Sequence, residues 1–288
     1  MAHDVFRVGD LEALVGDNQA YGEHRAGYNG IHRLIHRSNP RTLFVPAFAG
    51  LNLEHIFDGS QEFQNPTILF EPRKAPMKFT RLGEDEAELF QEPTPTFHLE
   101  SRTRFKFVPP HSIDFTFRCK PTQHVFTHGY IGLFWASYIH APEDRSIYFR
   151  NKKLWQQHCT PAHDNQSTVV HAENNVRLKF REGTHNALFK NFSPLTFDEP
   201  FYYGLFGRQV FILMFERCEN IRFTHSPNGA GENAELQSYN PAWDFQFIVP
   251  TYDVLQDYGF RARAVFREAC PRSEILAEVE SWRKSLGK

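Results

Sequence analysis

The strongest constraint in this sequence is a period of two. Over residues 97–107, Phe97, Leu99, Phe105 and Phe107 fall on one face of an extended backbone, and His98, Glu100, Arg102, Arg104 and Lys106 fall on the other. That alternation belongs to a β-strand with one buried face. Pro109-Pro110 then makes a turn. Residues 113–119 repeat the pattern, with Ile113, Phe115, Phe117 and Cys119 inward and Asp114, Thr116 and Arg118 outward. The two segments read as an antiparallel pair.

The same period recurs at 176–180, 221–224, 243–249 and 260–267. Two runs, 130–139 and 210–215, are apolar on both faces, as in central strands covered from both sides. Loops rich in Gly, Pro and Asn at 142–144, 193–194 and 226–231 separate the strands. Only 273–286 has helical spacing, with Ile275, Leu276, Val279, Trp282 and Leu286 on one face and Ser273 as N-cap. No linker divides the chain. The expectation is one all-β domain over residues 1–288, a large antiparallel two-sheet sandwich of more than ten strands with a short C-terminal helix.

Composition agrees. Of 288 residues, 29 are Phe, 10 Tyr and 4 Trp, and most Phe fall in the inward register. Such residues fill the space between sheets. A hydrophobic share of 41 % with 23 % charged residues excludes a disordered chain. The net charge of −2, without long Lys/Arg runs, excludes a large nucleic-acid footprint. No apolar stretch reaches the roughly 20 residues a membrane helix needs. The first residues carry acids and lack an apolar signal core, so a cytoplasmic location is expected, or a secreted one if a signal peptide was removed. Cys119, Cys159, Cys218 and Cys270 are too widely spaced for a disulfide framework and read as reduced, mostly buried thiols. Sequons stand at Asn165 and Asn191. Nothing here fixes an oligomeric state.

Nucleotide-binding signatures are absent, as are HExxH and GxSxG; Gly229-Ala230-Gly231 reads as a turn. Chemistry is sought instead among the fifteen histidines and their neighbours. His124 and His128 would lie about 13 Å apart on a strand, too far to share a metal. His158, Cys159, His163 and Asp164 form a loop with competent metal ligands, a Cys159 thiolate nucleophile with a histidine base, or an ordinary polar loop. The face of His98, Glu100 and Arg102 is either a solvated outer face or the floor of a polyol site. Trp135, Tyr138, Trp155 and Trp243 are candidates for its aromatic platform, or for core. In 52–59, Glu54 and His55 can act as an acid/base pair, or Asn52 and Asp58 merely close a turn. Asp244 stands beside Trp243 at a strand start.

Gly27-Tyr28-Asn29-Gly30-Ile31-His32-Arg33-Leu34, followed by 43–50 and 52–59, resembles the opening of galactose-mutarotase-like (aldose 1-epimerase-like) proteins. Phe70-Glu71-Pro72-Arg73, the long strand 97–107 and its return 113–119 look like the next sheet. Residues 240–249 and 260–266 resemble the closing strands. The resemblance lies in the order and spacing of features. It implies a β-supersandwich that binds carbohydrate in a concave groove. In the epimerases of that family two histidines and a Glu do acid/base work at the anomeric centre, and Arg and Asp hold hydroxyls; their histidine motifs have no clear counterpart here.

The reading is therefore a carbohydrate-active enzyme of epimerase, lyase or hydrolase type, acting on a sugar or oligosaccharide by general acid/base chemistry. Glu54 or Asp244 is the expected base, and His98, His128 or His163 the acid. Arg73 and Arg102 orient the sugar, with His55 and Glu100 as further binding residues, and Trp135 or Trp243 stacks on it. No cofactor is required. Two alternatives stay open: a non-catalytic glycan-binding module, and an enzyme using a divalent metal at His158, Cys159 and His163.

Overall fold

The structure, a computed structural model, describes residues 2–60, 66–162, 165–182, 187–228 and 239–287. In chain order the strands are β1 (His3–Val8), β2 (Leu11–Gly16), β3 (Gly30–His36), β4 (Asn52–Phe57), β5 (Lys78–Arg81), β6 (Glu86–Gln91), β7 (Leu99–Val108), β8 (Ser112–Pro121) and β9 (Ile131–Ala136). They continue with β10 (Ile147–Asn151), β11 (Leu154–His158), β12 (Thr168–His171), β13 (Phe192–Phe197), β14 (Phe201–Phe206), β15 (Gln209–Phe215), β16 (Ile221–Ser226), β17 (Ala242–Val249) and β18 (Tyr258–Glu268). Three single-turn helices, α1 (Pro66–Leu69), α2 (Glu71–Lys74) and α3 (Ala187–Lys190), and a terminal helix α4 (Arg272–Ser285) complete the described elements.

Two large sheets face each other. One has nine strands in the order β11-β10-β14-β15-β18-β8-β7-β6-β5, the other six in the order β13-β12-β16-β17-β9-β4. A third sheet, β1-β2-β3, packs at one end, where Phe6 stacks on Phe107 with ring centroids 5.1 Å apart. The expected pair of 97–107 and 113–119 exists as β7 and β8, antiparallel, with Phe105 opposite Phe115. Pairing is antiparallel throughout the large sheets except between β12 and β13, which run parallel.

The core lies between the sheets. Trp135 on β9 stacks on Phe245 of β17 at 4.9 Å and meets Phe117 of β8 edge-on at 4.7 Å. Trp135 and Trp243 are fully buried in this layer. That removes both from the sugar platform the sequence suggested: their rings are spent on the opposite sheet. Gly204 on β14 lies beneath Trp243, and a Cβ there would stand 2.3 Å from the indole ring. The runs apolar on both faces, β9 and β15, are buried at every residue.

The outer faces differ. On the nine-stranded sheet, α4 covers one end, with Ile275, Val279 and Trp282 packed on Tyr203, Ile212, Met214 and Val265. Its N-cap position is Pro271, without a side-chain cap, so Ser273 lies inside the helix. The rest of that face is solvated and carries Glu88, Arg102 and Arg104. On the six-stranded sheet the outer face is roofed by other chain segments. Val176, Leu178 and Phe180 pack there beside Phe57, Tyr130 and Phe134. They alternate as a strand would, yet 172–181 joins no ladder, so the expected strand at 176–180 is an extended strap. The expected loop at 193–194 lies inside β13, and 229–231 lies outside the described residues. Cys119 is buried, Cys218 and Cys270 are half-buried, Cys159 is exposed, and all four are free thiols.

Two buried histidines, His158 and His225, lie with ring centroids 5.7 Å apart. His225 Nδ1 accepts the Thr160 amide at 3.2 Å, which leaves Nε2–H to donate to the Arg145 oxygen at 2.7 Å. That is the pattern of a neutral ring. Burial pushes His225 down to about 3 and His158 down to about 4. Each takes up a proton on unfolding below the ordinary value of 6.5. Stability therefore falls as pH drops from about 6.5 to about 4, by about 1.4 kcal/mol per pH unit per histidine at most. Replacing His158 by Gln should flatten that limb, read as urea midpoints between pH 4 and 7. Gly204→Ala should lower the midpoint at every pH, with a cost of about 1–3 kcal/mol from overpacking against Trp243; an unchanged midpoint would contradict the close approach.

Candidate functional site

The most concentrated set of buried polar groups begins at a β-bulge. β4 pairs with β9 through Leu53 opposite Trp135 and His55 opposite Phe134, so Glu54 is one residue too many. A regular strand would send Glu54 and His55 to opposite faces. The bulge brings both to the outer face of the six-stranded sheet. Asn29 holds it in place: its side chain accepts the Leu53 amide at 3.1 Å and donates to the Leu53 carbonyl at 3.0 Å and to Asn52 Oδ1 at 2.8 Å. With Oδ1 so occupied, Asn52 turns its Nδ2 to Glu54 Oε2 at 3.0 Å.

Glu54 is almost wholly buried, at 6 % exposure, and fully partnered. Tyr138 donates its hydroxyl to Oε2 at 2.6 Å. His55 Nε2 lies 3.2 Å from Oε1, and Arg73 Nη1 lies 3.9 Å from the same oxygen. Burial pushes the carboxyl up; the His55 hydrogen bond and charge, the Arg73 guanidinium and the Tyr138 hydroxyl outweigh it and hold Glu54 below the usual carboxylate range. His55 Nδ1 faces the Leu69 carbonyl at 3.1 Å. A hydrogen bond on each side of that ring needs a proton on Nδ1 and another between Nε2 and Glu54.

Asp244 shares this face. It is fully enclosed, and Oδ1 accepts the Ser137 amide at 2.9 Å. Burial pushes Asp244 well above the carboxylate range; the Ser137 amide pulls back and the charge of Glu54 adds to the rise. The two carboxyls are thus driven apart, Glu54 down and Asp244 up. Divergence of this kind separates a base from an acid.

Arg73 connects the cluster to solvent. Its guanidinium lies over the Tyr28 ring at 4.0 Å and the Phe70 ring at 4.7 Å. Phe70 also packs on the His55 ring at 4.5 Å. Phe70 and Arg73 form part of the wall of an open pocket of about 800 Å³, together with Asn18, Gln19, Gly27 and Lys74. Glu54 and His55 stand directly behind that wall.

The structure thus brings Glu54, His55 and Arg73 together, with Asp244 on the same sheet face. His98 does not join them; it has a positive φ of 46° in the turn before β7. Glu100 and Arg102 lie on the outer face of the other sheet, where Arg102 pairs with Glu88 at 2.8 Å. The alternating His, Glu and Arg are a solvated face, as the blander reading of that pattern had it. His128 packs elsewhere on the outer face of the six-stranded sheet, with Nδ1 against the Asp58 and Lys179 carbonyls. His163 lies outside the described residues. His158 is buried and Cys159 exposed, and among the described residues, which exclude His163, no three His, Cys, Asp or Glu are grouped to hold a metal ion. Sequence reasoning did not assign roles to Asn29 or Tyr28, gave Asn52 only a turn-closing one, and placed Tyr138 only in a platform. The Gly27-Tyr28-Asn29 run was the available signal.

No protein-family model matches the chain, and no curated protein matches its sequence. Solved structures do match its fold. The crystal structure of an Escherichia coli K12 protein named as a candidate aldose 1-epimerase is similar over 93 % of this chain and 99 % of that one, with a TM-score of 0.55 at 8 % identity. HI1317 matches over 91 % of each chain, with a TM-score of 0.50 at 7 % identity. Heparan sulfate lyase HepC from Pedobacter heparinus matches 90 % of this chain and 33 % of its own, with a TM-score of 0.47 at 10 % identity. Among the described residues no helix is long and apolar enough to cross a membrane. The chain has the galactose-mutarotase-like β-supersandwich fold that its sequence resembles.

Tyr138 should matter to stability through Glu54. Tyr138→Phe deletes a hydrogen bond to a buried charge and is expected to cost about 1.5–3 kcal/mol at pH 7. Denaturant titration checks it, and a loss below about 0.5 kcal/mol would contradict a buried, ionised Glu54.

Proposed function

We propose that this protein is a carbohydrate-active enzyme that interconverts the anomers of an aldose by acid/base chemistry. The observation that carries the reading is Glu54, paired with His55 and Arg73, directly behind the wall of an open pocket of about 800 Å³. The fold it shares with a protein named as a candidate aldose 1-epimerase accords with it. Opening a sugar ring at the anomeric carbon takes a proton from the anomeric hydroxyl and gives one to the ring oxygen. Glu54 is the base in this reading, and His55 carries the proton that its Nε2 exchanges with Glu54 Oε1. Asp244, protonated, is the acid. Arg73 stabilises the negative charge that grows as the hydroxyl proton leaves.

A second reading, a non-catalytic glycan-binding module, is favoured by one observation. Glu54 and His55 are 6 % and 4 % exposed, so a ligand seated in the pocket reaches Phe70 and Arg73 before it reaches either. Exchange spectroscopy by NMR on a panel of aldoses separates the two. The expected outcome is anomer exchange faster than in buffer, with Glu54→Gln slowing it about a hundredfold, the typical share of a general base. Binding without faster exchange on any aldose would favour the module, and neither binding nor exchange would remove both readings.

A further inference from the structure

A second chain of directed hydrogen bonds lies at the end of β3 and shares no residue with the Glu54 cluster. β3 ends at His36, and the turn over 36–39 is closed by the Asn39 amide on the His36 carbonyl at 2.8 Å. The side chains around this turn can bond in one sense only. Asn39 Oδ1 accepts the Arg41 amide at 3.0 Å, so its Nδ2 donates to Gln209 Oε1 at 2.7 Å. With that oxygen taken, Gln209 Nε2 donates to Ser38 Oγ at 3.3 Å. The Ser38 hydroxyl then gives its own proton to His36 Nδ1, 2.7 Å away. The Ser38 amide points at the same nitrogen at 3.3 Å. His36 Nδ1 is therefore an acceptor, and Nε2 carries the proton, facing Asp10 Oδ2 at 3.7 Å.

The surroundings keep this arrangement. His36 is 3 % exposed, and its ring meets Phe266 edge-on at 6.2 Å. Burial, against the charges of Asp10 and Glu268, holds its pKa below the usual histidine value. The ring is thus neutral at pH 7 and free to take a proton. Asp10 is itself paired with Arg37 Nη1 at 3.0 Å. Ser38, by contrast, is exposed and lines an open pocket of about 740 Å³. Among the described residues that lining is polar, with Asn39, Arg208, Gln209 and Glu268, and only Gly207 and Ala269 are small and apolar. A turn needs the bond between His36 and Ser38. It needs neither a carboxylate behind the ring nor an open pocket before the hydroxyl.

We infer that Ser38, His36 and Asp10 form a second site, which hydrolyses esters of short acyl groups with polar alcohols. A hydroxyl bonded to a neutral imidazole, with a carboxylate behind the ring, is an activated nucleophile. Ser38 Oγ bonds to the ester carbonyl carbon while its proton passes to His36 Nδ1 and the carbonyl electron pair moves onto the oxygen. Gln209 Nε2, already aimed at Ser38 Oγ, is the donor nearest that oxygen. The pair then returns, the alkoxide leaves with the proton from His36, and the acyl group stays on Ser38. A water gives a proton to His36 and its hydroxyl to the acyl carbon; Ser38 Oγ departs and regains the proton, and a carboxylic acid is released. Asp10 is a positioning residue, which keeps the proton on Nε2 and opposes the charge the ring gains. The acyl group is short because the described lining offers a long one no apolar surface.

Incubating the whole chain with p-nitrophenyl acetate tests this through two readouts, the release of p-nitrophenolate and the site of acetylation, mapped by peptide mass spectrometry after an acid quench. Acetyl is expected on Ser38. Ser38→Ala, a change at an exposed position that leaves the fold intact, should slow release about a hundredfold, and His36→Gln should do the same. Asp10→Asn should lower kcat about tenfold with KM unchanged. Release that Ser38→Ala leaves unchanged, or acetyl on other side chains and none on Ser38, would overturn the site. Equal release in His36→Gln would overturn His36 as the base, and an unchanged kcat in Asp10→Asn would overturn the role of Asp10.

Discussion

A carboxylate without water is among the most expensive groups a fold can hold, and the region around Glu54 is organised to hold one. The bulge in β4 exists because Asn29 takes up the Leu53 backbone groups that regular pairing would have used. Asn52 is oriented by the same Asn29 and so can only donate to Glu54. Tyr138 reaches the same oxygen from the segment after β9. Arg73 and His55 then supply charge and a proton on the other oxygen. Each partner is itself fixed by packing or by backbone bonds, so none can turn away without exposing another unpaired group. Residues at 28–29, 52–55, 73 and 138 converge on one point because that point tolerates no vacancy.

That convergence explains why the fold was more legible than the site. A strand reveals itself locally, by the period of its own side chains, and 97–107 with 113–119 could be paired without knowing anything else. Where the local period misled, the cause lay in neighbours. Residues 176–180 alternate because they press Val176, Leu178 and Phe180 onto an apolar surface, and pressing requires the same register as pairing does. The bulge is a different matter. Nothing in Asn-Leu-Glu-His-Ile-Phe says which residue is supernumerary, because that depends on Asn29 more than twenty positions away. Glu54 and His55 were recognisable as an acid/base pair by residue type, and Arg73 by resemblance. The histidine and arginine of the 98–102 face were equally recognisable by type and proved to be solvated, because type does not tell which sheet face is roofed.

The two sheets thus use their outer faces in opposite ways. The nine-stranded sheet meets water directly over β6, β7 and β8, and pairs its charges across strands, as with Glu88 between Arg102 and Arg104. The six-stranded sheet hides its outer face, so the polar groups that remain there must be satisfied internally. Burial pushes both Glu54 and Asp244 up; the partners gathered around Glu54 outweigh it there, so the two carboxyls diverge. The partition of chemistry between the sheets follows from which of them the connecting segments happen to cover.

The terminal helix has a comparable effect on the other side of the molecule. Tyr203, Ile212, Met214 and Val265 form an apolar outer face on β14, β15 and β18, and Ile275, Val279 and Trp282 of α4 close it. The helix follows every one of those strands in the chain. During synthesis the helix therefore leaves the ribosome after every strand it covers, well behind β14 and β15 and close behind β18. Until α4 docks, the nascent protein presents an oily sheet face, the kind of surface that invites chaperones and self-association. The helix is a seal that the sheet face needs.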